Sequence, residues 1–173
     1  EHIYDGKLQA NAMTDQRVLV WPDNSQARHQ PDAGIIMLPV VHEGNTQASE
    51  EEVSVIQAFV QELLKAEIYD DRLKKQRPIT LADMLFVAPY NQQVTRLKAA
   101  LGPEARVGSI DLFQGQEAPV VFFSLCASHA DDSPRGMDFL FDRKRLNVAL
   151  SRAQTLSVVV GNPELAKVTP RSI

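Results

Sequence analysis

The sequence predicts an α/β fold in which a mostly parallel sheet is covered by helices on both faces. From residue 34 onward, short apolar runs alternate with segments whose apolar residues recur at helical spacing. The runs are apolar at nearly every position, as strands buried on both faces require, and the intervening helices supply the crossovers that parallel strands need.

Residues 1–33 are polar and irregular, with Pro22 and Pro31 breaking any long element, and are expected to lead into a domain spanning 34–173. Ile35 to Val41 is an apolar run between Gly34 and Gly44, which suits a strand. Glu50 to Glu67 carries Val53, Ile56, Val60, Leu63 and Leu64 at helical spacing, with Ser49 placed as N-cap. Met84 to Ala88 is a second strand, halted by Pro89. Asn91 to Leu101 reads as a helix, with Val94, Leu97 and Leu101 on neighbouring turns and Gly102-Pro103 ending it. Arg106 to Ile110 is a short strand, and Pro119 to Leu125 the strongest strand signal in the chain. Asp142 is expected to cap a helix from Arg143 to about Gln154, with Leu146, Ala149, Leu150 and Ala153 as its apolar stripe. Leu156 to Val160 is the next strand, and Gly161-Asn162-Pro163 opens a short terminal helix.

A chain of 173 residues is long enough for one domain with a sizeable core. Its formal net charge of -4 argues against strong autonomous binding to nucleic acid, although Arg72 to Arg77 and Arg143 to Arg145 are locally basic. Cys126 is the single cysteine, which excludes a disulfide framework within one chain and fits a reducing, cytoplasmic setting. No apolar run reaches the ~20 residues of a membrane span, so no membrane partner is expected. The start at Glu1 and the finish at Ile173 read as cut ends of a longer chain.

An α/β domain of this size commonly holds a nucleotide, yet the phosphate-binding loops are missing. There is no Gly-x-Gly-x-x-Gly, no Gly-x-x-x-x-Gly-Lys-Ser/Thr and no Gly-x-Ser-x-Gly. Glu62-x-x-Lys65 and Asp131-Asp132 lack the spacing of a metal-dependent nuclease, and no metal site is expected. Any catalytic role must therefore be shared with another domain.

Two segments carry chemistry. Arg145 and Arg152 are seven residues apart, two helical turns, on a side flanking the apolar stripe. A guanidinium at such a margin stays charged and offers a fork of donors suited to a transferring phosphoryl group. The same spacing also fits arginines that solvate a helix edge or pair with carboxylates. Ser109 to Glu117 is a polar, glycine-containing loop between two apolar strands, where ligand contacts concentrate. Gly115 lets backbone approach a ligand, and Glu117 could orient a sugar hydroxyl or an opposing arginine. A capped turn anchored by Phe113 is the plainer reading of that loop.

The segment Arg-Leu-Asn-Val-Ala-Leu-Ser-Arg-Ala at 145–153 resembles motif VI of superfamily 1 helicases, and Ser-Ile-Asp-Leu-Phe-Gln-Gly-Gln-Glu at 109–117 resembles their motif V. The branch resembled contains the nonsense-mediated-decay RNA helicases and related DNA helicase-nucleases. Pro89-Tyr90-Asn91-Gln92-Gln93 resembles its Pro-Tyr-x-x-Gln element, and Ser49-Glu50-Glu51-Glu52 is a looser match to an Asn-x-x-Glu feature. Tyr4-Asp5-Gly6-Lys7-Leu8 is similar to the Tyr-x-Gly-x-Leu segment where the chain passes into the second RecA-like domain, and Gly161-Asn162-Pro163 also fits.

The resemblance implies a RecA-like, P-loop NTPase-type domain lacking its own P-loop, the C-terminal motor domain of an ATP-dependent DNA or RNA helicase. Its implied partners are the first RecA-like domain of the same chain and single-stranded DNA or RNA. ATP and Mg2+ would be held mainly by that first domain, so the fragment alone is expected to be inactive. Arg152 would be the arginine finger, with Arg145 a secondary cleft contact. Gln114, Gly115 and Glu117 would face ATP, and Ser109, Tyr90 and Gln93 are the candidates for nucleic-acid binding. Members of this branch generally move 5′ to 3′. One feature departs from the pattern: the arginine-bearing motif IV would fall upstream of Glu1. The alternative function is a RecA-like interaction module without ATP turnover.

Overall fold

A computed structural model describes residues 17–70, 74–113, 115–129 and 143–167. Five parallel strands form the main sheet: β2 (Gly34–Pro39), β5 (Met84–Val87), β6 (Arg106–Gly108), β7 (Ala118–Ser124) and β8 (Ala153–Gly161), in the order β2-β8-β7-β5-β6. A smaller antiparallel sheet joins β1 (Leu19–Val20), β3 (Glu67–Asp70) and β4 (Lys75–Pro78) in the order β1-β3-β4. The described residues also form α-helices α1 (Glu50–Leu63), α2 (Asn91–Leu101) and α3 (Arg143–Leu150). The α/β architecture with a mostly parallel sheet is thus the one the alternating pattern predicts.

Alternate residues of the central strands feed two cores. Met84 and Phe86 of β5 and Val120 and Phe122 of β7 join Ile56, Val60 and Leu63 of α1 and Leu97 of α2 in the larger one. Leu85, Val87, Val121 and Phe123 point the other way, to Phe113, Ala149 and Leu165. This two-sided burial is why the strands are apolar at successive positions. The edge strand β2 differs: Ile36 is buried, but Ile35 and Met37 are exposed on the opposite face.

Several boundaries differ from the sequence reading. Helix α1 starts where expected, its Ser49 Oγ accepting the Glu52 N–H at 3.1 Å. It ends at Leu63 rather than Glu67, because Glu67 opens β3, which pairs with both β1 and β4. The basic segment Lys75 to Arg77 therefore lies in a strand, and Leu19 and Ala27 of the lead-in segment pack into the larger core. Helix α3 stops at Leu150 instead of about Gln154, and β8 begins at Ala153 instead of Leu156, since Ala153 already pairs with Ala118 of β7. The expected terminal helix is a 3-10 turn at Pro163–Lys167. Asp142 and Tyr4 to Leu8 lie outside the described residues.

Two glycines give opposite expectations. A Cβ on Gly161 would sit 2.6 Å from Leu125 Cδ1 and 3.1 Å from its Cβ, and Leu125 is itself buried. Gly161→Ala is expected to cost about 1–3 kcal/mol, as overpacking does. A Cβ on Gly108 would meet the Leu112 side chain, but Leu112 is 59% exposed and can turn away. Gly108→Ala is expected to stay within about 0.5 kcal/mol of wild type. Urea unfolding of both variants checks the contrast.

At the base of β5, Arg77 Nη2 and Nη1 donate to the two Asp83 carboxylate oxygens at 2.7 and 2.8 Å, and Thr80 N–H and Oγ1–H add bonds at 2.8 and 2.9 Å. Burial works against the charged carboxyl, but the bonds from Arg77 and Thr80 outweigh it and hold Asp83 below the usual aspartate range. A carboxyl depressed by folding contributes stability above its unfolded pKa and loses it as pH falls through the folded one. Asp83→Asn is expected to flatten the decline of stability below about pH 4, read as the urea midpoint against pH.

Candidate functional site

The sequence-predicted residues fall at opposite edges of the main sheet. Glu117 directly precedes β7 and Arg152 directly precedes β8, so both stand at the amino edge. They are held side by side, with Ala118 N–H donating to the Arg152 carbonyl at 3.1 Å and Gln154 Nε2 donating to Glu117 Oε2 at 3.2 Å. Arg152 is half-buried, in the turn just beyond α3. Its Nε donates to the Val148 carbonyl at 3.3 Å, and among the described residues no carboxylate pairs with its guanidinium. Gly115 lies in an exposed turn at φ +78°, a backbone conformation that favours glycine. Gln114 lies outside the described residues. So does the side chain of Arg145, whose backbone is in α3.

Ser109, Tyr90 and Gln93 belong to the carboxyl edge. Gly108, the last residue of β6, accepts the Ala88 N–H at 3.2 Å, so Ser109 and the Pro89-Tyr90 turn leave neighbouring strand ends. Crevices outside carboxyl ends are the usual ligand sites of open α/β sheets. Ser109 is partly exposed. Tyr90 is buried against Cys126 and Ala127. Gln93 faces inward and is fully buried, so its side chain presents no polar atom to the surface. The segment from Ser109 to Glu117 therefore runs from one edge of the sheet to the other, pinned midway by buried Phe113.

The amino ends of α1 and α2 share this carboxyl edge but differ in charge. The first turn of α1 holds Glu50, Glu51 and Glu52 behind a capped start. The first turn of α2 holds no acid, and no side chain caps it. Glu51 is held below the usual glutamate range by hydrogen bonds from backbone N–H and from Ser49, so the α1 corner stays negative.

Sequence reasoning missed a buried polar cluster behind this edge. Glu52 and the His42 side chain are fully buried 3.0 Å apart. Glu52 Oε2 accepts Ser124 Oγ–H at 2.6 Å, and its two oxygens share the Cys126 N–H at 3.0 and 3.1 Å. Gln93 Nε2 donates to Ser124 Oγ at 2.8 Å while Gln93 Oε1 accepts the Ser49 N–H at 2.8 Å. On the far side His42 Nδ1 lies 2.8 Å from Ser128 Oγ, and Asn162 Nδ2 donates to the His42 carbonyl at 2.6 Å. Cys126 sits at φ +55°; burial, then the Glu52 charge, pushes its thiol far above the ordinary range. The signal was present: Glu52 stands four residues before Ile56, on the buried face of α1. Among the described residues no three His, Cys, Asp or Glu side chains gather as a metal site would need.

Residues 1–164 match the family described as an AAA domain. The chain is 29% identical over 187 residues to mov-10-B.1 of Danio rerio, covering 94% of this chain and 18% of that protein. It is 27% identical over 172 residues to the Regulator of nonsense transcripts 1 homolog of Drosophila melanogaster, covering 94% and 14%. It is 29% identical over 175 residues to DNA polymerase alpha-associated DNA helicase A of Saccharomyces cerevisiae, covering 94% and 25%. The chain thus spans a quarter or less of the length of these relatives.

Proposed function

From the premise that the chain belongs to the AAA domain family and to the superfamily 1 helicases that include those of nonsense-mediated decay, we propose that it is the second RecA-like motor domain of an ATP-dependent helicase. Arg152 is its arginine finger. Glu117 and Gly115 face the nucleotide beside it, and Ser109 contacts the phosphate backbone of a single strand. The reading is carried by one observation: Arg152 stands partly exposed at the amino edge, next to Glu117, with no carboxylate partner for its guanidinium among the described residues. An unneutralised guanidinium at a cleft margin is suited to an anion from outside the domain.

ATP is the substrate, and the triphosphate with its magnesium would be held mainly by a first RecA-like domain elsewhere in the full-length protein. When bound, magnesium neutralises phosphate charge; this chain adds the guanidinium where negative charge grows during transfer. Strand binding belongs to the carboxyl edge, on the side of Ser109 and the acid-free start of α2. Contacts of this kind fix position without reading bases and weaken as salt rises. Because Ser109 and Glu117 end one segment, a shift at the nucleotide edge reaches the strand edge through Phe113.

Hydrolysis of ATP by the full-length protein, with and without single-stranded DNA or RNA, tests the reading. Strand-stimulated hydrolysis is expected, with none from the 173-residue chain alone. A full-length protein that binds its partners but does not hydrolyse ATP would replace the motor with an interaction module.

A further inference from the structure

On the helicase reading above, we propose that Glu52, Ser124 and Gln93 form a buried brace that positions the carboxyl-edge segments meeting the strand. Glu52 and Gln93 are then positioning residues for strand binding, acting through the backbone segments that they hold. The brace ties together the starts of α1 and α2, the end of β7 and the segment after β2. Gln93 lies in the first turn of α2, just after the Pro89-Tyr90 turn. Ser124 ends β7, Glu52 sits in the first turn of α1, and His42 follows β2. Through Asn162 the same cluster reaches the end of β8.

Hydrogen-bond accounting sets the direction of the bonds that run through Ser124 and Gln93. Ser124 Oγ accepts from Gln93 Nε2, so its one proton goes to Glu52. Gln93 Oε1 must face the Ser49 N–H, because a flipped amide would set donor against donor. Glu52 then accepts Ser124 O–H and Cys126 N–H, with His42 Nε2 beside it. A second chain continues from His42 Nδ1 to Ser128 Oγ, which also accepts the Asn45 N–H at 2.9 Å. A buried network satisfied in one way holds its backbone segments rigidly. Such rigidity suits a surface that contacts a phosphate backbone at several points in fixed spacing. Glu50 and Glu51 are exposed at the start of α1 and Glu50 pairs with Arg96, whereas Glu52 is fully buried and serves the edge from behind.

Glu52→Gln keeps the volume but sets an amide N–H2 where donors converge, which breaks the brace at its centre. In the full-length protein the dissociation constant for a single-stranded oligonucleotide is expected to rise roughly tenfold, the factor that one lost buried hydrogen bond carries. The slope of log affinity against log salt is expected to become shallower by about one contact. The KM for ATP without strand stays near the wild-type value. Ser124→Ala removes the bridging hydroxyl and is expected to do the same more mildly. Unchanged affinity and salt slope in both folded variants would overturn the proposal. So would a loss of affinity at unchanged slope with a parallel loss of ATP binding, the mark of general destabilisation, or a failure of both variants to fold. Wild-type protein that binds no single strand would instead refute the helicase reading itself.

Discussion

Arg152→Ala in the full-length protein is expected to lower strand-stimulated ATP hydrolysis by about a thousandfold or more. Binding of ATP and of the strand should persist, because the finger acts on charge that appears only as the phosphoryl group transfers. The fold should tolerate the change: the side chain is partly exposed and, among the described residues, bonds from Nε to the Val148 carbonyl. Arg152→Lys restores the charge but not the planar fork, and is expected to recover only part of the loss. The decisive quantity is kcat at saturating ATP and strand, with nucleotide binding measured separately. A kcat within a few-fold of wild type would remove Arg152 from the chemistry.

The largest effect on stability is expected at Phe122. It lies at the middle of β7 and is 1% exposed. Its ring stacks on Phe86 at 4.9 Å between centroids and meets Phe59 edge-on at 6.0 Å. Phe122→Ala removes both ring contacts and leaves a void between the sheet and α1, at a cost of about 3–5 kcal/mol. For a domain of this length that lowers the melting temperature by roughly 10 °C. Phe122→Leu refills part of the void and should lose much less. Thermal unfolding of the 173-residue chain distinguishes the three proteins.

The main sheet was legible because its central strands are apolar on both faces, as Met84 to Val87 and Val120 to Phe123 illustrate. The start of α1 was legible from Ser49, and the span of α2 from its spacing and from Gly102. The hairpin of β3 and β4 was not, because it is short, charged and made by pairing with Leu19 and Val20, far away in sequence. The true ends of α3 and β8 depend likewise on the pairing of Ala153 with Ala118. Motif spacing marked Arg152 and Glu117 as candidates, but only the fold sets them side by side at the amino edge. Glu52 stood in the sequence only as part of a looser match to an Asn-x-x-Glu feature at a helix start, and Gln93 as a candidate for nucleic-acid binding. Their burial follows from which faces of α1 and α2 meet β7, something local spacing hints at and only packing decides.

The order of strands in the main sheet also constrains how the chain can be made. β8, the last strand in sequence, lies between β2, the first of that sheet, and β7, so Gly34 finds its neighbour only when Leu156 arrives. Pairings this distant pay their loop-closure entropy before any contact rewards it, which slows folding. During synthesis the exposed apolar side chains of β2 must wait, unpaired, for almost the whole domain to emerge. A chain terminated before Ala153 would leave β2 without β8, the strand it pairs with. Such truncations are expected to aggregate rather than fold into a smaller unit.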